Sequence, residues 1–333
     1  MKKILIIRFS SIGDIVLTSP VIRCLAMQLP QAELHVLTRQ SNRQLFELNP
    51  HISKIHCFEG SLKTIIEQLR QEQYDFVVDL HKNLRTFRIK KALKRPSAAF
   101  PKLNFEKYLL VRLGIDRMPD VHIVDRYFKA VEPLGVHNDG KGLEYYLPAD
   151  DDPSLAGVSK KFSAQLAAGF YAVVIGGKHK TKILPVEKVT EVCNKLRLPV
   201  ILFGGQEDKE RGDRIAMYST SHVTNSCGSL SLNQSAWLLK QATAVMTNDT
   251  GMMHIAAAFQ KPIVSVWGNT VPALGMTPYM PGNEHRSVLA EVSGLKCRPC
   301  SKIGFNNCPR GHFHCMVKQD TGMIASELTR ISQ

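Results

Sequence analysis

Arg8-Phe-Ser-Ser-Ile-Gly-Asp14-Ile-Val-Leu-Thr-Ser-Pro20 follows directly on the apolar run Ile4-Leu5-Ile6-Ile7, and this junction decides the fold. The run is short and β-branched, which predicts a strand buried on both faces, as in a parallel sheet. The residues behind it are small and polar, include Gly13, and then resume a helical period at Val16, Leu17, Val21, Ile22 and Leu25. A strand, a loop and a helix in that order put Asp14 at the carboxyl end of the first strand, where open α/β sheets bind ligands. A carboxylate there, among Ser10, Ser11 and Gly13, which let a substrate approach, is a candidate general base. The plainer reading is a helix cap, because Ser10, Ser11 and Asp14 are all good N-cap residues.

Outward from this junction the first half alternates strands and helices. Apolar runs at 33–37, 55–58 and 74–80 predict strands, and periodic stretches near 15–28, 40–48 and 61–72 predict helices. Residues 137–160, with Gly140, Gly142, Pro148, three aspartates at 150–152, Pro153 and Gly157, break the rhythm. They read as an inter-domain linker carrying a short strand at 143–147. The second half repeats the pattern, with strands at 171–175, 200–203, 222–224, 244–247 and 263–267. Such a βαβα order implies parallel sheets covered by helices on both faces. Three segments are expected: a first Rossmann-like domain over 1–160, a second over 161–316, and a terminal helix in 317–333 packing back toward the first domain.

With 333 residues the chain has room for two domains. No apolar run is long enough to span a bilayer, and Lys2-Lys3 leads into a run too short for a signal peptide, so a cytoplasmic location is expected. Net charge is +14, and +9 of it falls between Lys82 and Arg117. Arg85, Arg88, Lys91 and Arg95, three and four apart, would line one helix face ended by Pro96. That face suits phosphate or carboxylate groups on an anionic membrane or acidic glycolipid. A solvated surface is the bland alternative. Nucleic acid is the weaker partner, because no helix-turn-helix, zinc-finger repeat or aromatic RNA platform is present.

A second constellation lies at the end of strand 244–247, in Asn248-Asp249-Thr250-Gly251-Met-Met-His254. Gly251 would open a helix whose first N–H groups attract phosphate. Thr250 adds a hydroxyl, and His254 lies one turn on; alternatively Asp249 merely caps the helix and His254 packs. Gly176-Gly177-Lys178-His-Lys180-Thr-Lys182-Ile-Leu-Pro185 sets three lysines beside a glycine turn, and Gly204-Gly205-Gln206-Glu207 offers groups for ribose hydroxyls. Together these strand ends point to a nucleotide site. Neither a P-loop nor a dinucleotide fingerprint occurs.

The Arg8–Pro20 and Asp249–His254 motifs, in this order and spacing, resemble glycosyltransferase family 9, which comprises the lipopolysaccharide heptosyltransferases. Asp79-Leu-His-Lys-Asn-Leu-Arg85 is similar to that family's acceptor-domain segment, and Cys297-Arg-Pro-Cys300 with Cys308-Pro-Arg-Gly-His312 and Cys315 to the closing segment of many members. The resemblance implies a GT-B fold, two Rossmann-like doubly wound domains facing a cleft. It implies inverting transfer from ADP-heptose with Asp14 as base. Lys182 would contact the donor diphosphate and Glu207 the ribose, with Asp249, Thr250, Gly251 and His254 forming the donor loop. Ser10, Ser11, Gly13, His81, Arg85, Arg88 and Lys91 are the acceptor-binding candidates. The acceptor would be an anionic lipid-linked oligosaccharide at the cytoplasmic face of the inner membrane, met by peripheral contact. The run Gly177–Lys180 is more basic than the family pattern, so donor preference is open at that point.

No cofactor is required in this scheme, because lysine and a helix terminus supply the positive charge. Cys297, Cys300, Cys308 and Cys315, with His312 and His314 nearby, form a cluster that in a cytosolic protein more often binds zinc than forms disulfides, although the spacing is not that of a standard zinc ribbon. The resemblance favours a structural loop with free thiols or labile disulfides instead. Two other functions compete: a two-domain sugar-nucleotide epimerase, which would need further acid/base carboxylates, and a non-enzymatic basic membrane-surface or nucleic-acid-binding protein, which would leave Asp14 and Asp249 without a role.

Overall fold

The computed structural model describes residues 2–150, 152–219 and 222–333; Asp151, in the expected linker, lies outside them. The chain divides into two compact units, residues 1–103 with 121–146, and residues 104–120 with 147–333. The boundary therefore falls at 146 rather than 160, and segment 104–120 belongs with the second unit.

The first unit is a five-stranded sheet of β1 (Lys3–Ile7), β2 (Glu33–Arg39), β3 (Lys54–Phe58), β4 (Phe76–Asp79) and β5 (Ser97–Ala99) in the order β3-β2-β1-β4-β5. Every pairing is parallel. As the apolar run predicts, Ile4, Leu5, Ile6 and Ile7 are at most 1 % exposed, so β1 is the buried central strand. The chain leaves β1 toward β2 on one side and later returns to β4 on the other. The β1–β4 boundary is thus the topological switch point, where a crevice opens at the strands' carboxyl ends.

The second unit is a six-stranded parallel sheet: β6 (Tyr171–Val174), β7 (Val200–Phe203), β8 (Val223–Asn225), β9 (Ala244–Asn248), β10 (Ile263–Trp267) and β11 (Ser287–Glu291), ordered β11-β10-β9-β6-β7-β8. Its switch point lies between β6 and β9. The two motifs singled out in the sequence therefore each follow a strand at the switch point of its own sheet.

Several expectations are corrected. The first helix is split into Ile12–Val16 and Ser19–Gln28, with Pro20 in the first turn of the second piece, where its missing N–H costs nothing. Residues 40–45 form a 3₁₀ turn. The segment 143–147 joins neither sheet: the Glu144 N–H donates to Ser19 Oγ at 2.8 Å, and Arg23 pairs with the Glu144 carboxylate. The Asp-Pro signal read as a linker instead opens the helix Pro153–Lys161, where Asp152 accepts from the Ser154 N–H at 2.8 Å.

The terminal helix, Thr321–Ile331, belongs to the second unit. Its apolar stripe of Ile324, Ala325, Leu328 and Ile331 is buried in the same core as Val189, Val192 and Val264. Leu328→Ala should cost about 2–5 kcal/mol in denaturant unfolding, as a fully buried leucine does. A loss below about 1 kcal/mol would place that helix outside the core.

Candidate functional site

At the first switch point, Asp14 is held by two partners. Arg8, only 6 % exposed, sets its Nη2 2.6 Å from Asp14 Oδ1. Ser11 donates its hydroxyl (2.6 Å) and its backbone N–H (3.1 Å) to Asp14 Oδ2. Asp14 is therefore the third residue of the short helix, bracing the Ser11 cap, not the cap itself. Its side chain stays 23 % exposed, so a ligand can reach it. Arg8 also donates to Leu80 O, to Ser10 O at 2.8 Å and to Tyr127 OH at 3.0 Å. These contacts fix the guanidinium, so Asp14 faces a permanent positive charge.

Across the switch point, Asp79 at the end of β4 is fully buried. It pairs with Lys90 at 2.9 Å and accepts from the N–H groups of His81 (3.1 Å) and Lys82 (2.6 Å). This turn presents His81, whose ring packs edge-on against Phe9 with centroids 5.3 Å apart. Burial first, then the Arg8 and Lys102 charges, push the His81 imidazole down to about 4. It is neutral at pH 7, and its buried Nδ1 has no hydrogen-bond partner among the described residues. An unmatched buried nitrogen beside Asp14's loop suits a ligand hydroxyl.

The basic helix runs Leu84–Leu93, capped by Asn83 and closed by Lys94 in a left-handed conformation (φ 51°). Arg95 therefore leaves the helix face expected to carry it. Arg85 lies over the rings of Phe9 (5.3 Å) and Phe58 (4.6 Å), which turns it back toward the β1 loop. Arg88 and Lys91 are exposed beside the exposed Leu84 and Phe87.

At the second switch point, Lys182 sets its ammonium 2.5 Å from Asp249 Oδ2, which also accepts from Thr270 Oγ1 at 2.8 Å. Thr250, not Asp249, is the cap position of the helix Gly251–Ala258. Asn248 is buried and ties this loop to β6, donating to the carbonyls of Val174 (3.3 Å) and Gly176 (3.3 Å) while accepting from the Leu184 N–H (3.3 Å). Gly177 lies close to this loop: a Cβ there would sit 3.2 Å from the Ile183 side chain, which would have to shift slightly, and in ordinary contact with Thr250 at 3.5 Å. His254 is 2 % exposed, as the packing alternative anticipates.

Glu207 is exposed in the turn Gln206–Asp208 after β7, while its neighbour Asp208 is buried. Asp208 takes the structural duties there: it accepts from the Gly205 N–H (2.9 Å) and from Arg211 (2.9 Å). A Cβ on Gly176 would come 2.4 Å from Asp208 Oδ2. That close approach explains the glycine pair better than ligand binding does.

Cys297, Cys300, Cys308 and Cys315 line one small cavity with His312, and all eight cysteines of the chain are free thiols. Cys297 Sγ stands 3.9 Å from His312 Nε2. Burial and then the neighbouring thiols push Cys300 up, and burial drives Cys315 to about 11. Among the described residues, the set of metal-type donors that all lie within 4.8 Å of one another is His35, His56 and Glu72, not these cysteines.

The sequence reading assigned no role to Arg8, Asn248 or Thr270, which hold Asp14, the β9 loop and Asp249. Arg8 was visible in the motif, six residues ahead of the carboxylate it pairs with. Asn248 and Thr270 carry no local signal.

Each of the two doubly wound parallel units carries charged and polar side chains at its switch point. The chain belongs to glycosyltransferase family 9 (heptosyltransferase), whose model matches residues 62–304. It is 27 % identical over 330 residues to lipooligosaccharide heptosyltransferase 2 of Haemophilus influenzae, covering 90 % of this chain and 92 % of that one. A family 9 glycosyltransferase of Veillonella parvula superposes with a TM-score of 0.78 at 19 % identity, over 99 % of this chain and 97 % of that one. The ADP-heptose lps heptosyltransferase II of E. coli does so with a TM-score of 0.72 at 21 % identity, over 100 % and 98 %. The fold is the GT-B architecture expected, and the protein is an enzyme of the glycosyltransferase class. The epimerase and the non-enzymatic alternatives give way to it.

Proposed function

We propose that this enzyme transfers a heptose, with inversion, from ADP-heptose to an anionic inner-core lipopolysaccharide acceptor, and that Asp14 is the general base. The observation that carries this reading is Asp14 itself, partly exposed at a switch point and clamped by Arg8 and Ser11. An acceptor hydroxyl would give its proton to Asp14 as its oxygen bonds to the anomeric carbon. The carbon–oxygen bond to the diphosphate breaks, and its electron pair leaves with ADP. Neutral His81 would orient the acceptor through Nδ1. The similarity to a lipooligosaccharide heptosyltransferase and to an ADP-heptose lps heptosyltransferase supports the donor and acceptor classes.

The leaving diphosphate would take over the Lys182 ammonium that Asp249 holds in position, and would meet Thr250 and the N–H groups opening the helix at Gly251. Preorganised donors of this kind act most strongly where charge develops in the transition state. Glu207 is exposed after the neighbouring strand and would serve the ribose. The scheme draws its positive charge from protein groups and takes no step through a metal. The four closing cysteines fit a structural loop with free thiols, a reading that metal analysis of the purified protein tests.

Among the described residues no helix is long and apolar enough to cross a membrane. The exposed Leu84 and Phe87 beside Arg88 and Lys91 suit peripheral contact with an anionic lipid surface at the cytoplasmic face of the inner membrane. Neutralising Arg85, Arg88 and Lys91 should raise the acceptor KM and flatten its salt dependence, with kcat at saturation little changed. Steady-state kinetics at two ionic strengths would show this, and an unchanged KM would remove the helix from acceptor binding. The whole reading is tested by turnover with ADP-heptose and a panel of truncated lipopolysaccharide acceptors.

A further inference from the structure

Toward the amino-terminal ends of the first sheet's strands, away from Asp14, a second set of polar side chains converges. His35 on β2 is fully buried and His56 on β3 is 7 % exposed. His35 Nδ1 lies 3.3 Å from His56 Nε2 and 3.8 Å from Glu72 Oε2, while His56 Nε2 lies 3.8 Å from Glu72 Oε1. The Tyr74 hydroxyl stands 2.9 Å from the first ring nitrogen and 3.0 Å from the second. Tetrahedral zinc with bonds of about 2.0–2.1 Å to nitrogen and oxygen sets its donors about 3.3–3.4 Å apart; the two ring nitrogens match this spacing, and the two Glu72 oxygens, each 3.8 Å from one of them, approach it.

We propose that His35 Nδ1, His56 Nε2 and the Glu72 carboxylate bind one divalent transition-metal ion of the zinc class, with the Tyr74 hydroxyl or a water as fourth donor. The outer contacts fit this role. His35 Nε2 lies 2.7 Å from Glu33 Oε1. With that nitrogen protonated, Nδ1 turns its lone pair inward, in the carboxylate–histidine–metal arrangement that orients ligating imidazoles. The competing cations are Lys54 at 2.5 Å and Lys3 at 3.0 Å from the Glu72 oxygens. Lys54 is 54 % exposed and can swing into solvent, so an ion would displace its ammonium from the carboxylate. Bound there, the ion would tie β2 and β3 to the turn ahead of β4, apart from the transfer chemistry.

Titration of the chelator-treated full-length protein with Co²⁺ tests the site. One equivalent should give visible ligand-field absorption without a thiolate-to-cobalt charge-transfer band, which separates this site from the cysteines. His56→Gln and Glu72→Gln should abolish that signal. Glu33→Gln should weaken binding about 10–100-fold, as loss of an outer carboxylate does. Lys54→Ala should tighten it, which a plain hydrogen-bond network gives no reason to expect. The proposal is overturned if the wild-type protein shows no such signal or holds Co²⁺ through the cysteines alone. It is equally overturned if folded His56→Gln and Glu72→Gln bind Co²⁺ like the wild type.

Discussion

Asp14→Asn should lower kcat by about 10²–10⁴, the usual contribution of a positioned base, while ADP affinity stays at the wild-type value. Asparagine keeps the shape and can still accept from Ser11, so the short helix retains its bracing. What is lost is the negative charge that takes the proton and faces Arg8 at 2.6 Å. Arg8 is left buried with a neutral partner, and breaking a buried pair of this kind costs up to about 3–5 kcal/mol. Its remaining contacts to Ser10 O, Leu80 O and Tyr127 soften that cost. Circular dichroism and a melting curve should accompany the kinetics. A folded Asp14→Asn enzyme turning over within a few-fold of the wild type would remove Asp14 as the base.

Lys182→Ala should reduce kcat by about 10²–10³ and weaken ADP binding as well, because the ammonium would contact the diphosphate both before and during its departure. The split differs from that of Asp14→Asn, which leaves nucleotide affinity alone. Removing Lys182 also strips Asp249 of its counter-ion and leaves it the Thr270 hydroxyl at 2.8 Å. The bare carboxylate would then repel the diphosphate. Asp249→Asn in the Lys182→Ala background should therefore recover part of the ADP affinity. Calorimetric titration of ADP into the three proteins measures this, and a Lys182→Ala enzyme with unchanged ADP affinity would place the diphosphate elsewhere.

What the sequence revealed and what it hid follow from the range of the interactions. The β1 junction is legible because a strand covered on both faces must be continuously apolar, and the loop behind it must carry any chemistry. The loop after β9 is legible for the same reason. The partners of Arg8 are not: Leu80 and Tyr127 lie 72 and 119 residues away. The apolar stripe of the terminal helix is plain, but a stripe does not say which core it covers, and the second unit claimed it. The run around Asp152 and Pro153 carries turn residues that serve equally as a helix start, so composition alone mistook one for the other. His35, His56 and Glu72 form no motif, because two adjacent parallel strands and the end of the helix Leu62–Gln71, not sequence spacing, bring them together.

Heptosyl transfer with inversion leaves its mark on the product. The purified enzyme would be incubated with ADP-heptose and a heptose-deficient lipopolysaccharide, and the acceptor examined by mass spectrometry and anomeric NMR. The acceptor should gain one heptose, joined with the anomeric configuration opposite to that of the donor. An unaltered acceptor mass across the panel of truncated acceptors, or a linkage that retains the donor's configuration, would contradict it.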